Sequence, residues 1–357
     1  MIWSMPRNTL IAWTLFGVLA VSVNAATGSV GGLRVFAERR GLLIGGAMRL
    51  YPDTLSDPRY LPTFSHEFNF VVPEHVMKFE NTHPLPGVYD FLRGDFVVRF
   101  AREHDMKVRG HTLAWHEANP DWVTRRKFSP EAMRLLLQEH IATVAGHFRG
   151  QVLSWDVVNE AFDDKGRIQN RGPWPWIDHA RGRVLRDGDY LRDAFQWAHD
   201  ADPQALLFYN DYGAEELNPK SDGIYQFIRK KREEGVPIQG IGFQMHIDTG
   251  SGVSEESLRA NFKRFGELGL IIHVTEMDVG LPNGKGSDPV FLKRQAEEYA
   301  KVMRVCLETP QCQAFLTWGL TDKYNWIDEG GQLTSPLLLD AFYNPKPAYE
   351  AVRELLR

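Results

Sequence analysis

Val152-Leu153-Ser154-Trp155-Asp156-Val157-Val158-Asn159-Glu160 reads as an apolar, β-branched run that stops on an amide and a carboxylate. β-Branched and aromatic residues in such a run favour an extended strand. The pattern recurs. Counting this run as residues 152–158, similar ones occupy 42–44, 68–72, 108–113, 206–209, 238–243, 271–274 and 314–318. Stretches with helical spacing lie between most of them, at 91–103, 130–148, 190–201, 222–234, 254–268 and 289–307, with one more at 347–356. Strands alternating with helices call for a parallel sheet with crossover helices, and eight strands are the number that closes a barrel. The expected fold is therefore α/β, a single-domain (β/α)8 or TIM barrel. A doubly wound open sheet is the rival. It is disfavoured because Gly45-Gly46, after the first run, lacks a third glycine at the phosphate-binding spacing.

A barrel places its chemistry where strands end. Glu74 and Lys78 follow the second run, and His111 and Trp115 lie at and after the end of the third. Asn159 and Glu160 follow the fourth, Asn210 and Asp211 the fifth, and Gln244 and His246 the sixth. Glu276 and Asp278 follow the seventh, and Trp318 ends the eighth. Stability alone does not ask for polar or aromatic residues at almost every strand end, whereas a shared cleft does.

Outside the barrel, Arg7, the apolar and small-residue run 10–23 and the sequence Val23-Asn24-Ala25 have the layout of a signal peptide with its cleavage site. The run has 14 residues, against the roughly 20 needed to span a bilayer. The expected organisation is a signal peptide at 1–25, an N-terminal extension at 26–39 and a catalytic domain at 40–357. The location is then secreted or periplasmic, with no membrane attachment after signal removal. Net charge is −5 and no Lys/Arg-rich run stands out, so nucleic acid is not an expected partner. The 10 Trp, 11 Tyr and 21 Phe fit either a large core or a sugar-binding cleft. Cys306 and Cys312, the only cysteines, suggest one local disulfide in an exported chain; two free thiols are the alternative. No Cys/His cluster surrounds them, and no metal is expected.

Glycoside hydrolysis needs two carboxyl groups flanking one bond. The best pair is Glu160 and Glu276, the latter in Val274-Thr275-Glu276-Met277-Asp278. Each ends an apolar run, and only a closed barrel brings them together. Their separation decides between retention and inversion.

Six segments, in order, resemble glycoside hydrolase family 10, typified by endo-β-1,4-xylanases. They are Gly110-His111-Thr112-Leu113-Ala114-Trp115-His116, Trp155 to Glu160, Gly242-Phe243-Gln244-Met245-His246, Thr275 to Asp278, Thr317-Trp318-Gly319-Leu320-Thr321-Asp322-Lys323-Tyr324 and Asn344-Pro345-Lys346-Pro347-Ala348-Tyr349. The similarity spans roughly residues 40–352. It implies retaining hydrolysis of internal β-1,4-xylosidic bonds without a cofactor, on xylan or a related β-1,4-linked polysaccharide, by a monomer. A β-1,4-glucan and a non-catalytic carbohydrate-binding barrel are the alternatives. The resemblance makes Glu160 the acid/base and Glu276 the nucleophile, with His246 bonded to Glu276 and oriented by Asp278. Asn159 would bind the 2-hydroxyl of the sugar at the cleavage point. Lys78 and His111 would hold the neighbouring hydroxyl, and Glu74 the next sugar outward. Trp115, Trp318 and Trp326 would wall the platform, and Gln244 would also contact substrate. Asn210 reads equally as a site contact or a strand-end cap, and Tyr212 is similar.

The sequence departs from the family at two places. The family usually has Asn where His75 stands and Gln where Ala118 stands. In the family both positions normally contact sugars on the non-reducing side, and each lost amide contact is worth about 0.5–1.5 kcal/mol. Outer specificity is what these changes leave open. The tryptophans of the 171–176 segment reach a sugar on the leaving-group side or pack their own loop.

Overall fold

The computed structural model describes residues 31–169, 177–178, 183–184, 189–327 and 333–357. The expected signal peptide and the 171–176 segment lie outside the described residues. Eight parallel strands form the centre: β1 (Leu43–Met48), β2 (Phe70–Pro73), β3 (Lys107–Ala114), β4 (Ser154–Asn159), β5 (Leu206–Asp211), β6 (Gly240–Phe243), β7 (Ile271–Pro282) and β8 (Cys312–Thr317). Each strand pairs with the next. β8 returns to β1, with Leu43 opposite Ala314 and Gly46 opposite Thr317. The barrel is closed, so its strands have no exposed edge.

The surrounding helices are α1 (Leu33–Arg39), α2 (Tyr60–Glu67), α3 (Leu92–Glu103), α4 (Pro130–His147), α5 (Asp189–Ala201), α6 (Pro219–Glu233), α7 (Glu255–Glu267), α8 (Pro289–Glu308) and α9 (Pro347–Leu356). Their starts follow ordinary capping chemistry. Asn218 accepts from the Ser221 N–H ahead of Pro219, and Asp288 accepts from the Val290 N–H ahead of Pro289. Their apolar faces pack on the barrel wall, as where Phe262 of α7 stacks on Phe243 of β6 with ring centres 5.0 Å apart. Two helical features differ from expectation. No helical run was expected after β1, yet α2 fills that place. Pro62 in its first turn is tolerated because the first turn's N–H groups have no intrahelical partner. Of the stretch 26–39 read as an extension, α1 is a helix built into the core, with Leu33 and Ala37 buried. Glu67 Oε2 joins three helices here, accepting from the Leu33 N–H at 2.9 Å and the Tyr349 hydroxyl at 2.8 Å.

Cys306 near the end of α8 is disulfide-bonded to Cys312 at the start of β8. Among the described residues no helix is long and apolar enough to cross a membrane.

The barrel interior is not purely apolar. Ala47, Phe70, Val72, Ala314 and Leu316 form one buried group. Beside it the guanidinium of Arg109 is fully buried and forks onto both oxygens of Asp156. It also donates to His273 Nδ1 at 2.8 Å. Accepting that bond requires a neutral imidazole at His273. Burial and the Arg109 charge accordingly hold His273 well below the usual imidazole range. A buried charge needs such partners.

Candidate active site

The C-terminal ends of the strands open into a cleft of about 730 Å3. Glu74, Lys78, His111, Trp115, Asn159, Glu160, Gln244, His246, Glu276, Trp318 and Trp326 all line it. Arg49, Tyr51, His75, His116, Glu117 and Tyr212 line it as well. Ala118 is not among the lining residues, so the shortened side chain there leaves the wall to Glu117 and His116.

Both glutamates are buried on the cleft wall, and each carboxylate is held by N–H donors. Glu160 Oε1 accepts from Asn159 Nδ2 at 3.0 Å and Gln244 Nε2 at 2.8 Å. Its Oε2 accepts from the Trp115 indole at 2.8 Å. Trp115, expected as part of the platform, thus also fixes the carboxylate. Glu276 Oε1 accepts from Asn210 Nδ2 at 2.7 Å, and Oε2 lies 3.3 Å from His246 Nε2. His246 Nδ1 is 2.9 Å from Asp278 Oδ2. The pairing of the short strand His246–Asp248 with β7 sets His246 directly opposite Asp278. The Trp326 indole donates to the same Asp278 oxygen at 2.8 Å.

The electrostatics follow from this ladder. Burial pushes the Glu276 carboxyl up, but the His246 hydrogen bond and the charges of His111 and His246 outweigh it, so Glu276 is held below the usual carboxylate range. Burial pushes His246 down, and Asp278, then Glu276, more than reverse it, so the imidazole is held well above its usual range. Lys78 is lowered by burial, opposed by Glu276, Glu74 and Glu160. Its ammonium lies 4.7 Å from the Trp115 ring centre and 5.8 Å from that of Trp318. His111 packs edge-on to Trp318, and its Nδ1 is 3.0 Å from Asp156 Oδ2. That contact ties a cleft residue to the buried Arg109–Asp156 pair. Asp156 had no role in the sequence reading. Its signal was a carboxylate inside an apolar strand run, which demands a cation.

Asn210 reads from sequence equally as a site contact or a strand-end cap. It is fully buried and does not line the cleft. Its Nδ2 donates to Asn159 Oδ1 at 2.8 Å as well as to Glu276, and its Oδ1 accepts from the Thr275 hydroxyl at 2.7 Å. Both amide protons are engaged inside the protein, so neither is left for a sugar. Asn210 instead joins the two carboxylate networks. Asp278, expected as a support, also stays out of the cleft. Asn159 keeps one Nδ2 proton uncommitted and does face the cleft.

At the outer end, His75 Nε2 is 2.9 Å from Glu74 Oε1, and its ring meets Tyr51 edge-on at 5.7 Å. Arg49 Nη1 is 3.9 Å from the same Glu74 oxygen. The imidazole therefore restrains Glu74 where the family's amide would sit. Among the described residues no group of three or more His, Cys, Asp or Glu side chains is arranged to hold a metal ion.

The sequence model for glycosyl hydrolase family 10 matches residues 32–355. The chain is 44% identical over 326 residues to endo-1,4-beta-xylanase B of Thermotoga neapolitana, covering 91% of each. The fold superposes on the crystal structure of native xylanase 10B from Thermotoga maritima with a TM-score of 0.86 at 43% identity, covering 91% of this chain and 98% of that one. It also superposes on xylanase 10B from Thermotoga petrophila in complex with xylobiose, with a TM-score of 0.85 at 43% identity, covering 91% and 97%.

Proposed function

The chain belongs to glycosyl hydrolase family 10, and from that premise we propose that it hydrolyses internal β-1,4-xylosidic bonds of xylan by double displacement. The observation that carries the reading is the pair of strand-end carboxylates, Glu160 and Glu276, on the wall of one cleft, with Glu276 kept ionised by the His246–Asp278 couple.

Glu276 attacks the anomeric carbon and Glu160 gives its proton to the departing glycosidic oxygen, forming a glycosyl-enzyme ester. Glu160, now a carboxylate, takes a proton from water as that water displaces Glu276, which restores both groups. Asn159 offers its uncommitted amide proton to the 2-hydroxyl. Lys78 and His111 hold the neighbouring hydroxyl, Glu74 takes the next sugar outward, and Trp318 and Trp326 wall the platform. Asn210 and Gln244 steady the carboxylates. No cofactor enters these steps. Residues 1–25 direct export, and the enzyme works as a monomer on the polysaccharide.

Product release over time from linear xylan, arabinoxylan and mixed-linkage glucan, with Glu276→Ala as control, tests this. Rapid appearance of short xylo-oligosaccharides, abolished in the variant, is expected. Cleavage of the glucan with silence on xylan overturns the substrate while keeping the mechanism, and silence on all three overturns both.

A further inference from the structure

Behind Glu160 lies a buried polar cluster that the steps above do not use: Tyr209, Asp211 and Lys220. The Glu160 backbone is left-handed, with φ at 56°, a conformation that strains an L-residue. Two hydrogen bonds hold it there. Its own N–H donates to the Asn210 carbonyl at 2.9 Å, and the N–H of Ala161 donates to the Tyr209 hydroxyl at 2.9 Å. That hydroxyl in turn donates to Asp211 Oδ2. Asp211 Oδ1 is 2.8 Å from Lys220 Nζ. Lys220 is the second residue of α6, where the positive end of the helix disfavours a cation. Helix stability does not explain a buried lysine there; its partner Asp211 does. The Asp211 carbonyl also accepts from the Gln244 N–H at 3.0 Å, and the Gln244 side chain holds Glu160 Oε1. On its other side the Lys220 ammonium lies 3.6 Å from the ring centre of Tyr212, a cleft residue.

We propose that Tyr209, Asp211 and Lys220 are positioning residues for the acid/base, clamping the strained backbone at Glu160–Ala161 so that the carboxyl meets the leaving oxygen. This rests on the reading of Glu160 as acid/base. Lys220 pairs with Asp211, Asp211 orients the Tyr209 hydroxyl, and the hydroxyl's lone pair fixes the Ala161 N–H. None of the three lines the cleft. Burial drives the Asp211 carboxyl up to about 7, against the opposing pull of Lys220 and Tyr209.

A clamp on the proton donor has a signature that general destabilisation lacks. The defect grows with the leaving group's need for a proton. Tyr209→Phe is assayed on xylan and on 2,4-dinitrophenyl β-xylobioside, whose leaving group departs unprotonated, with Glu160→Ala beside it. The expected result for Tyr209→Phe is a loss of tenfold or more in kcat/KM on xylan with less than twofold on the aryl glycoside. Azide, which needs no base, then raises kcat on the aryl glycoside. Glu160→Ala shows the same split more strongly. Equal losses on both substrates, or no loss on either, in Tyr209→Phe overturn the clamp while a split in Glu160→Ala leaves the acid/base assignment standing. No split in Glu160→Ala overturns that assignment and the clamp with it. Asp211→Asn, checked for folding by circular dichroism, is read by the same criteria should Tyr209→Phe not fold.

Discussion

Glu276 and His246 show how one contact sets charge, stability and chemistry together. His246 Nε2 lies 3.3 Å from Glu276 Oε2, and its other nitrogen is bound by Asp278. Replacing His246 with Ala removes the hydrogen bond that most lowers the Glu276 carboxyl. The expected outcome is a fall in kcat of about tenfold or more, equivalent to roughly 1.4 kcal/mol in the transition state, with the acid limb of the kcat/KM profile displaced to higher pH. Steady-state kinetics across pH on xylotetraose reads both effects. Stability has a definite sign as well. Glu276 is depressed, so its contribution is present above its ordinary range and is lost as pH falls through the native value. His246 is raised, so its contribution is present below its ordinary range and is lost as pH rises through the native value. Both act fully between about pH 4.5 and 6.5. The melting temperature of His246→Gln is expected to fall furthest below that of the parent inside this window, and to approach it at alkaline pH.

Glycines decide how tightly the elements close. A Cβ on Gly110 of β3 would overlap the indole of Trp155 on β4. Gly110→Ala is expected to cost about 1–3 kcal/mol through overpacking, read by urea denaturation. The Cys306–Cys312 link ties the end of α8 to the start of β8 across a short loop. The double Cys→Ser variant is expected to lose about 2–3 kcal/mol on the chain-entropy model, with little change in kcat, since neither sulfur lies near the cleft. At this scale the strands were legible because both faces of a barrel strand are covered, which leaves continuous apolar runs such as 152–158. Helix α2 was not legible, because Asp57-Pro58-Arg59-Tyr60-Leu61-Pro62 has the chemistry of a turn. Its helical state comes from Tyr60 and Phe64 packing into the core. Helix α1 was too short to announce itself by periodicity.

Across the whole molecule, barrel closure converts sequence order into a site. β4 and β7 are separated by β5 and β6 in the sheet, and the residues between the carboxylates come from those intervening strands. Asn210 ends on β5 and Gln244 follows β6, which is why they bridge Glu160 and Glu276. Most cleft-lining residues were readable from their place after each strand, whereas Arg49 and Tyr51, which follow β1, were not singled out. The direction in which a strand-end side chain points was not readable. Asn210 and Gln244 occupy similar positions in sequence, yet one is sealed behind the carboxylates and the other reaches the cleft. Asp211 was noted only as a strand-end residue, and Tyr209 and Lys220 were not singled out, for the same reason: a buried polar network is defined by its partners across elements, and local sequence does not name them.

The measurement that bears most directly on the central claim is the anomeric configuration of the first products, followed by 1H NMR as the enzyme cleaves xylohexaose. Attack by Glu276 followed by attack of water inverts the centre twice, so new reducing ends are expected to appear as the β-anomer and only later to mutarotate. First products in the α configuration would mean that water, not Glu276, attacks the sugar, and would contradict the assignment of the two carboxylates.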